Sequence, residues 1–386
     1  MDVKQIYDFV NTATTEIVGE SAVLNEDLSN IVDVGTAVFN ANGVDNFTKS
    51  LVDHVGRVIF VDRPYSGSVP SVYRDAWEYG AVCEKIAASK LPDATENESW
   101  ELENGVSYDP NVFYKPDVTA KFYSKKTTFE IPQSITEMQV KSAFSSATQM
   151  NSFISMLYTN VENSMTIKTD SLVMRTINNM VAETFYNMNS GGTYTGAGNT
   201  RCVNLLKLYN DTYSESETVA GCLYNPEFVR FAAYQMGLVK SRLSKVSTLF
   251  NMGGADRFTP SDRLHCVTLS DFTAAADVFL QSGTFHDEFT RLPKSETVPF
   301  WQGSGTGYGL TDISAINVKT ASGHTVSASG IIGVMFDRDA LGVANLDRHS
   351  TTAYNPKAEF FNTWFKFTCG YYNDFNENMV VFYVAA

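Results

Sequence analysis

Between Met150 and Phe185 the apolar residues recur at helical intervals. Met150, Phe153, Ile154, Leu157, Tyr158, Val161 and Met165 follow one another three or four residues apart, and Leu172, Val173, Ile177, Met180, Val181 and Phe185 resume the pattern. Such spacing lays one stripe along one helix face, and a stripe this long needs a core along its whole length. The chain must therefore be built around a long amphipathic spine. The polar stretch 163–170 between the two runs predicts a bend or break. Upstream, Ser134 and Glu137 have the spacing of a capping box, so a helical segment is expected to open there.

Residues 63–130 differ in kind. They contain Pro64, Pro70, Pro92, Pro110 and Pro116, five of the eleven prolines, and eleven aromatic residues against only nine Ile, Leu, Val or Met. Apart from a short helix expected around 77–88, there is little apolar period. A segment this long with so little core of its own needs support from outside its domain. Tyr73, Trp77, Tyr79, Trp100, Tyr108, Phe113, Tyr114, Phe122 and Tyr123 are of the types that anchor protein interfaces. The segment thus reads either as an irregular subdomain packed on its own aromatics or as an arm lying on a neighbouring subunit. Under the second reading, Trp77→Ala or Trp100→Ala leaves the fold intact and impairs assembly. The acidic run 93–103 reads as a solvated tip.

Elsewhere helix and strand signals alternate. A helical face is expected over 44–55 and a strand over 57–62. A glycine-rich link near 187–200 precedes a helix expected over 202–213, and another is expected over 225–250. "LHCVTL" (264–269) reads as a strand and "SDFTAAADVFLQ" (270–281) as a helix. "AINVKT" and "TVSASGIIGVMF" read as strands. "WFKFTCGYY" alternates with period two, "NDFNEN" supplies a turn, and "MVVFYVAA" returns as a buried strand, so a terminal strand pair is expected. The fold class is α+β.

Charge limits the partners. The net charge of −14 opposes grips on phosphate backbones and on anionic membranes, both of which need clustered Lys and Arg. The N-terminus lacks the basic and apolar regions of a secretory signal, and no run is apolar enough to span a membrane, so the cytoplasm of the producing cell is the expected site of synthesis. Five scattered cysteines, Cys83, Cys202, Cys222, Cys266 and Cys369, have no paired spacing and read as reduced thiols.

The densest chemistry lies in "MFDRDALGVANLDRHS" (335–350). Asp337 and Asp339 form D-x-D, a spacing that suits a divalent cation, and His349 beside Asp347 suits acid–base work. That defines one alternative, a metal-dependent hydrolase using Asp337, Asp339 and His349. The structural reading is a buried strand ending at Asp337, followed by a short acid-capped helix. "GSGTGYG" (303–309) lacks the Lys-Ser/Thr of a phosphate loop, although glycine-rich loops leave a ligand-binding protein as a second alternative. His286-Asp287-Glu288 has no zinc spacing, and no nucleophile elbow is present. No catalytic, cofactor or metal residue is assigned.

"NFTKSLVDHVGRVIF" (46–60), "SITEMQVKSAFSSATQMNSFISMLYTNVENS" (134–164) and "VMFDRDALGVANLDRHSTTAYNPKAEFFNTWFKFTCGYYNDFNENMVVFYVA" (334–385) resemble tailed-phage major capsid proteins, most nearly those of small short-tailed phages of the phi-29-like group. "LFNMGGADRFTPSDRLHCVTLSDF" and "FHDEF" look like an axial-domain stretch of the same proteins. The resemblance implies an HK-97-type fold. Its parts would be an N-terminal arm at 1–56, an extended loop at 57–133, a peripheral domain with the spine helix at 134–195, an axial domain at 196–345 and peripheral strands at 346–386. It implies a virion shell assembled in the host bacterial cytoplasm from hexamers and pentamers. A separate scaffolding protein, a portal protein at one vertex and enclosed double-stranded DNA without sequence-specific contact would be the partners. No enzymatic role and no cofactor follow from it.

The stretch 335–350 then becomes a joint between domains. Arg338, Asp347 and Arg348 are candidates for ion pairs within or between subunits. Some relatives crosslink a Lys to an Asn, but Lys125 and Lys126 are not matched to that role. The short stretch before the loop leaves little room for a cleaved scaffolding segment, and the extra immunoglobulin-like domain of phi-29-like relatives is not expected here.

Overall fold

The computed structural model describes residues 71–74, 83–88, 90–94, 96, 103–136, 147–188, 200–281, 295–302, 310–320 and 322–385, together with Asn11. The elements expected over 44–55 and 57–62, and nearly all of the glycine-rich link, lie outside them.

The spine is helix α1, Ala147–Met188. Its 42 residues span roughly 63 Å at the rise of an α-helix. The break expected over 163–170 does not occur. Thr169, buried, turns its hydroxyl back onto the Met165 carbonyl at 2.9 Å, and Thr176 does the same to Leu172 at 2.8 Å. A threonine bonded in this way presents its methyl group to its neighbours. The buried stripe therefore passes without a gap from Val161 and Met165 through Thr169 to Leu172, Val173, Thr176 and Ile177.

The capping box is not one. Ser134 lies in strand β4, Lys126–Thr136, where its hydroxyl donates to Asn362 Oδ1 at 2.6 Å. Phe129, Ile131 and Ile135 alternate with polar residues, and that period of two outweighs the four-residue motif. Strand β4 is the edge of a four-stranded sheet ordered β1-β11-β12-β4, with β1 at Tyr73–Arg74, β11 at Leu341–Asn355 and β12 at Phe360–Asn373. An edge is where Pro132 can be tolerated, because it has no N–H to give a ladder. The helix expected after Asp337 is also absent. A turn at 338–340 leads straight into β11, held by Asp337 Oδ1, which accepts from the Asp339 N–H at 2.8 Å.

A second sheet has five strands in the order β5-β13-β10-β6-β7. They are β5 (Cys202–Asn204), β6 (Leu264–Leu269), β7 (Glu296–Val298), β10 (Ile331–Asp337) and β13 (Met379–Tyr383). The central strand β10 is buried along its whole length, the expected state of a strand covered on both faces. Helices α2 (Leu205–Tyr213), α3 (Pro226–Leu243) and α4 (Ser270–Gln281) connect its strands, followed by the single turn α5 (Leu310–Ile313). Residues 202–204 are strand rather than helix because Asn204 caps α2, accepting from the Lys207 N–H at 3.2 Å. Helix α3 stops at Leu243, short of the expected 250, with Lys240 and Arg242 in its last turn.

The expected terminal strand pair is also corrected. Strands β12 and β13 lie in different sheets, and residues 374–378 carry the chain between them. The sequences differ in kind: β12 alternates, as a strand with one covered face does, whereas β13 is apolar at every position and needs cover on both. Gly330, ahead of β10, has φ 81°, and a Cβ there would stand 2.0 Å from the Val384 carbonyl oxygen. Spine α1 packs against β4, β11 and β12 of the first sheet and against β5 and β13 of the second. One apolar core runs through both.

Candidate assembly interface

Two strands leave the body as a ribbon. Strand β2, Cys83–Ala88, pairs antiparallel with β3, Val118–Tyr123. The helix expected over 77–88 is therefore strand over its described part, because Cys83, Lys85 and Ala87 alternate with Glu84, Ile86 and Ala88.

The ribbon is inverted. Its body-facing side carries Cys83, Lys85, Ala87, Thr119, Lys121 and Tyr123. Its outward side carries Ile86, Val118 and Phe122, exposed by 64%, 53% and 66%. Beyond it, residues 103–117 form an irregular tip on which Phe113 and Tyr114 are exposed by 83% and 84%. Large apolar groups held in water in a row mark a surface that another molecule covers.

The inward side is fastened by charge. Lys85 and Lys121 stand directly opposite each other, a pairing that costs free energy unless an anion lies between them. Asp374, in the link between the sheets, fills that place: Lys85 Nζ donates to Oδ2 at 2.7 Å and Lys121 Nζ to Oδ1 at 2.8 Å. Lys85 also donates to Glu377 Oε1 at 2.7 Å, and Arg257 Nε reaches the same oxygen at 3.3 Å. Arg257 Nη1 donates to the Ala88 carbonyl at 2.7 Å, and Asp256 accepts from the Leu91 N–H at 3.0 Å. Burial works to raise the Asp374 carboxyl, but the bonds from Lys121 and Lys85 prevail and hold it below the usual carboxylate range. The Tyr123 ring lies 5.0 Å from that of Tyr372, tilted by 35°, and its hydroxyl is pushed up by burial and by nearby Asp374.

Of the aromatic residues expected at an interface, Tyr108, Phe113 and Tyr114 are exposed on the tip. Tyr73 falls in β1, its backbone paired with Val343; Trp77, Tyr79 and Trp100 lie outside the described residues. The lysine–carboxylate root escaped the sequence reading because its members come from separate segments. The one signal was two lysines on the inward period of two neighbouring strands.

The cluster at 335–350 is pulled apart by β11. Asp337 is buried, and its Oδ2 accepts from Thr259 Oγ1 at 2.8 Å; burial pushes its carboxyl up. Asp339 pairs with Arg263 at 2.9 Å. His349 lies eight residues along β11 from Leu341, roughly 26 Å at the rise of a strand, and its Nδ1 is 2.8 Å from Asp347 Oδ2. The three residues of the hydrolase alternative do not form one site. Among the described residues no group of three His, Cys, Asp or Glu could hold a metal ion. Arg338 is exposed and its N–H donates to the Arg263 carbonyl at 2.8 Å; half-buried Arg348 lies near Cys369. Among the described residues no helix is long and apolar enough to cross a membrane.

A family model described as Phi29-like phage major capsid protein matches residues 9–383. No curated protein matches the chain. Among solved structures, the chain is similar to one described as the capsid structure of Staphylococcus phage Andhra, at 10% identity, over 84% of this chain and 86% of that one, with a TM-score of 0.48. A structure described as head fiber and inner core protein gp22 of native bacteriophage P68 matches at 10% identity over 84% and 86%, with a TM-score of 0.49. The capsid structure of the Cyanophage P-SCSP1u matches at 13% identity over 85% and 94%, with a TM-score of 0.40.

Proposed function

The chain belongs to the Phi29-like phage major capsid protein family, and on that premise we propose that its ribbon is the clasp between neighbouring copies in the shell. It is the major capsid protein of a tailed phage, and it assembles with itself into the virion capsid. The finer reading is ours. Copies join as hexamers and pentamers, with the axial domain, 196–345, around the ring axis. The peripheral domain, 134–195 with the spine helix and 346–386 with the terminal strands, lies outward, 57–133 forms the extended loop that overlaps the next copy, and 1–56 is the N-terminal arm. Tyr73, Trp77, Tyr79, Trp100, Tyr108, Phe113, Tyr114, Arg338, Asp347 and Arg348 remain the residues proposed for contacts between copies.

In the same reading the protein catalyses nothing, and assembly takes place in the host cytoplasm around a separate scaffolding protein, with a portal protein at one vertex. The enclosed DNA is held without sequence-specific contact, in keeping with the net charge of −14. Repulsion from an acidic wall keeps the polymer mobile.

The observation that carries this reading is the inverted ribbon, with Ile86, Val118 and Phe122 facing water. A monomeric protein would gain nothing from that arrangement, whereas a neighbour supplies the missing cover. The test is Ile86→Ser with Phe122→Ser. Both sites are exposed, so the melting temperature of the free subunit should be unchanged. Two interface anchors at about 2 kcal/mol each weaken a contact about a thousandfold, so shells should vanish from electron micrographs. Normal shells from the double variant would remove the clasp reading.

A further inference from the structure

The irregular tip of the arm carries a dipeptide that can react with itself. Asn104 and Gly105 lie at the centre of a turn closed by the Val106 N–H, which donates to the Glu103 carbonyl at 3.3 Å. The Glu103 N–H donates in turn to the Tyr108 hydroxyl oxygen at 3.3 Å. Both bonds are longer than the usual range, and every residue from 103 to 108 is exposed. Gly105 stands at φ 94°, and no atom lies within 4 Å of the place its Cβ would take. Among the described residues neither the Asn104 amide nor the Gly105 N–H has a partner. A similar glycine, Gly323 at φ 90°, lies in the hairpin of β8 (Ile316–Lys319) and β9 (Thr325–Ala328). It follows Ser322, which has no amide, and its N–H is held by the Thr320 carbonyl at 3.0 Å.

A backbone nitrogen reaches the side-chain carbonyl of the preceding residue through a five-membered ring, so the chain itself holds the reacting atoms near each other. Glycine removes the side chain that would hinder the approach and lets the backbone rotate into it. We propose that Asn104 is a modification site, at which the unassembled subunit deamidates without an enzyme. The Gly105 nitrogen loses its proton and bonds to Asn104 Cγ. The bond from Cγ to the side-chain nitrogen breaks, and that nitrogen leaves as ammonia with the proton, so a cyclic imide joins the two residues. Water then adds to one imide carbonyl and breaks its bond to the ring nitrogen. Opening at Cγ leaves aspartate. Opening at the backbone carbonyl leaves isoaspartate, whose main chain runs through the side-chain carbon and is longer by a methylene. Water enters, ammonia leaves, and nothing is oxidised or reduced.

Either product adds a negative charge to the tip. Isoaspartate also lengthens the turn that sets the position of Tyr108, one of the residues proposed for contacts between copies. Here the inference rests on the clasp reading: a neighbour that covers the tip shields Asn104, whereas a copy left unassembled ages.

The free subunit is held in mildly alkaline buffer, which speeds loss of the proton, and is digested at intervals for peptide mass spectrometry. Asn104 should convert about tenfold faster than Asn111, an exposed asparagine followed by valine. Isoaspartate should form at the same position, read by methyltransferase labelling. Asn42, also followed by glycine, is scored on its own peptide. Equal or slower conversion at 104 overturns the proposal. Asn104→Gln, which needs a larger ring, should abolish the signal, and a signal that survives it overturns the proposal as well. Shells from cells making the chain with the other head proteins of its phage should convert at 104 about tenfold more slowly than the free subunit. Conversion in shells at the free rate overturns the shielding and leaves the modification site. Absence of shells from the unaltered chain overturns the clasp reading itself, and the chemistry at Asn104 is then judged on the free subunit alone.

Discussion

Burial sets the behaviour of the thiols. Those of Cys202, Cys222 and Cys266 are pushed up to about 12 and that of Cys369 to about 11, in each case chiefly because the thiolate would leave water. In the unfolded chain a thiol titrates near 8.5. The folded value is the higher one, so the contribution is fully present below about pH 8.5 and is lost as pH rises toward the folded value. At pH 9.5 each thiol costs about 1.4 kcal/mol, and the four together about 5–6 kcal/mol, comparable with the whole stability of many domains. The urea midpoint should therefore fall steeply above about pH 8.5. Cys266→Ala should flatten that fall by roughly a quarter; an unchanged slope would place the alkaline sensitivity elsewhere. Residue identity alone misleads in the spine, where Thr169 and Thr176 count as polar by composition yet occupy buried stripe positions by conformation. The same limit hid Ser134, whose spacing to Glu137 is that of a cap but whose backbone is strand.

The arm shows what holds an element that has almost no core of its own. Its inward face rests on ion pairs at Asp374 and Glu377, both buried, so salt screens them little and the attachment is tested by removing a charge. Asp374→Asn keeps an oxygen for the Asn376 N–H and removes the charge between two lysines. Amide exchange over 83–88 and 118–123 should accelerate in this variant relative to the unaltered subunit, while β10 exchange stays constant. Equal exchange in all samples would show that the pairs do not hold the arm. Because the folded Asp374 carboxyl lies below its ordinary value, its contribution is present above about pH 4 and is lost only below that. Between pH 5 and 8 the root should not titrate through this group. The sequence made the arm visible as an aliphatic-poor, aromatic-rich segment. Its two-stranded form was harder to see, because Cys83–Ala88 and Val118–Tyr123 are separated by 29 residues, far more than a hairpin turn, and the Asn104-Gly105 turn among them does not join the strands directly.

The two larger sheets among the described residues share one rod, and the rod decides whether they act separately. Strong periods made the long elements legible: α1, β6, α4, β10 and the alternation of β12 follow from local spacing. Which sheet each strand joins depends on pairings far apart in the chain, such as β13 with β5 and β10, and no window of sequence contains them. At Thr176 to Asn178 the spine touches both halves. The Thr176 carbonyl accepts from Asn373 of the first sheet at 3.0 Å, and Asn178 donates to the Trp301 carbonyl on the side of the second. Ile177 between them is fully buried in the shared core. A core continuous across both sheets should unfold as one cooperative unit. Trp364 in β12 and Trp301 near the second sheet provide a fluorophore for each half. Variants keeping one or the other should report the same urea midpoint, and Ile177→Ala should lower both together by about 2–5 kcal/mol. Distinct midpoints, or a loss confined to one probe, would show that the sheets fold independently and that the spine only connects them.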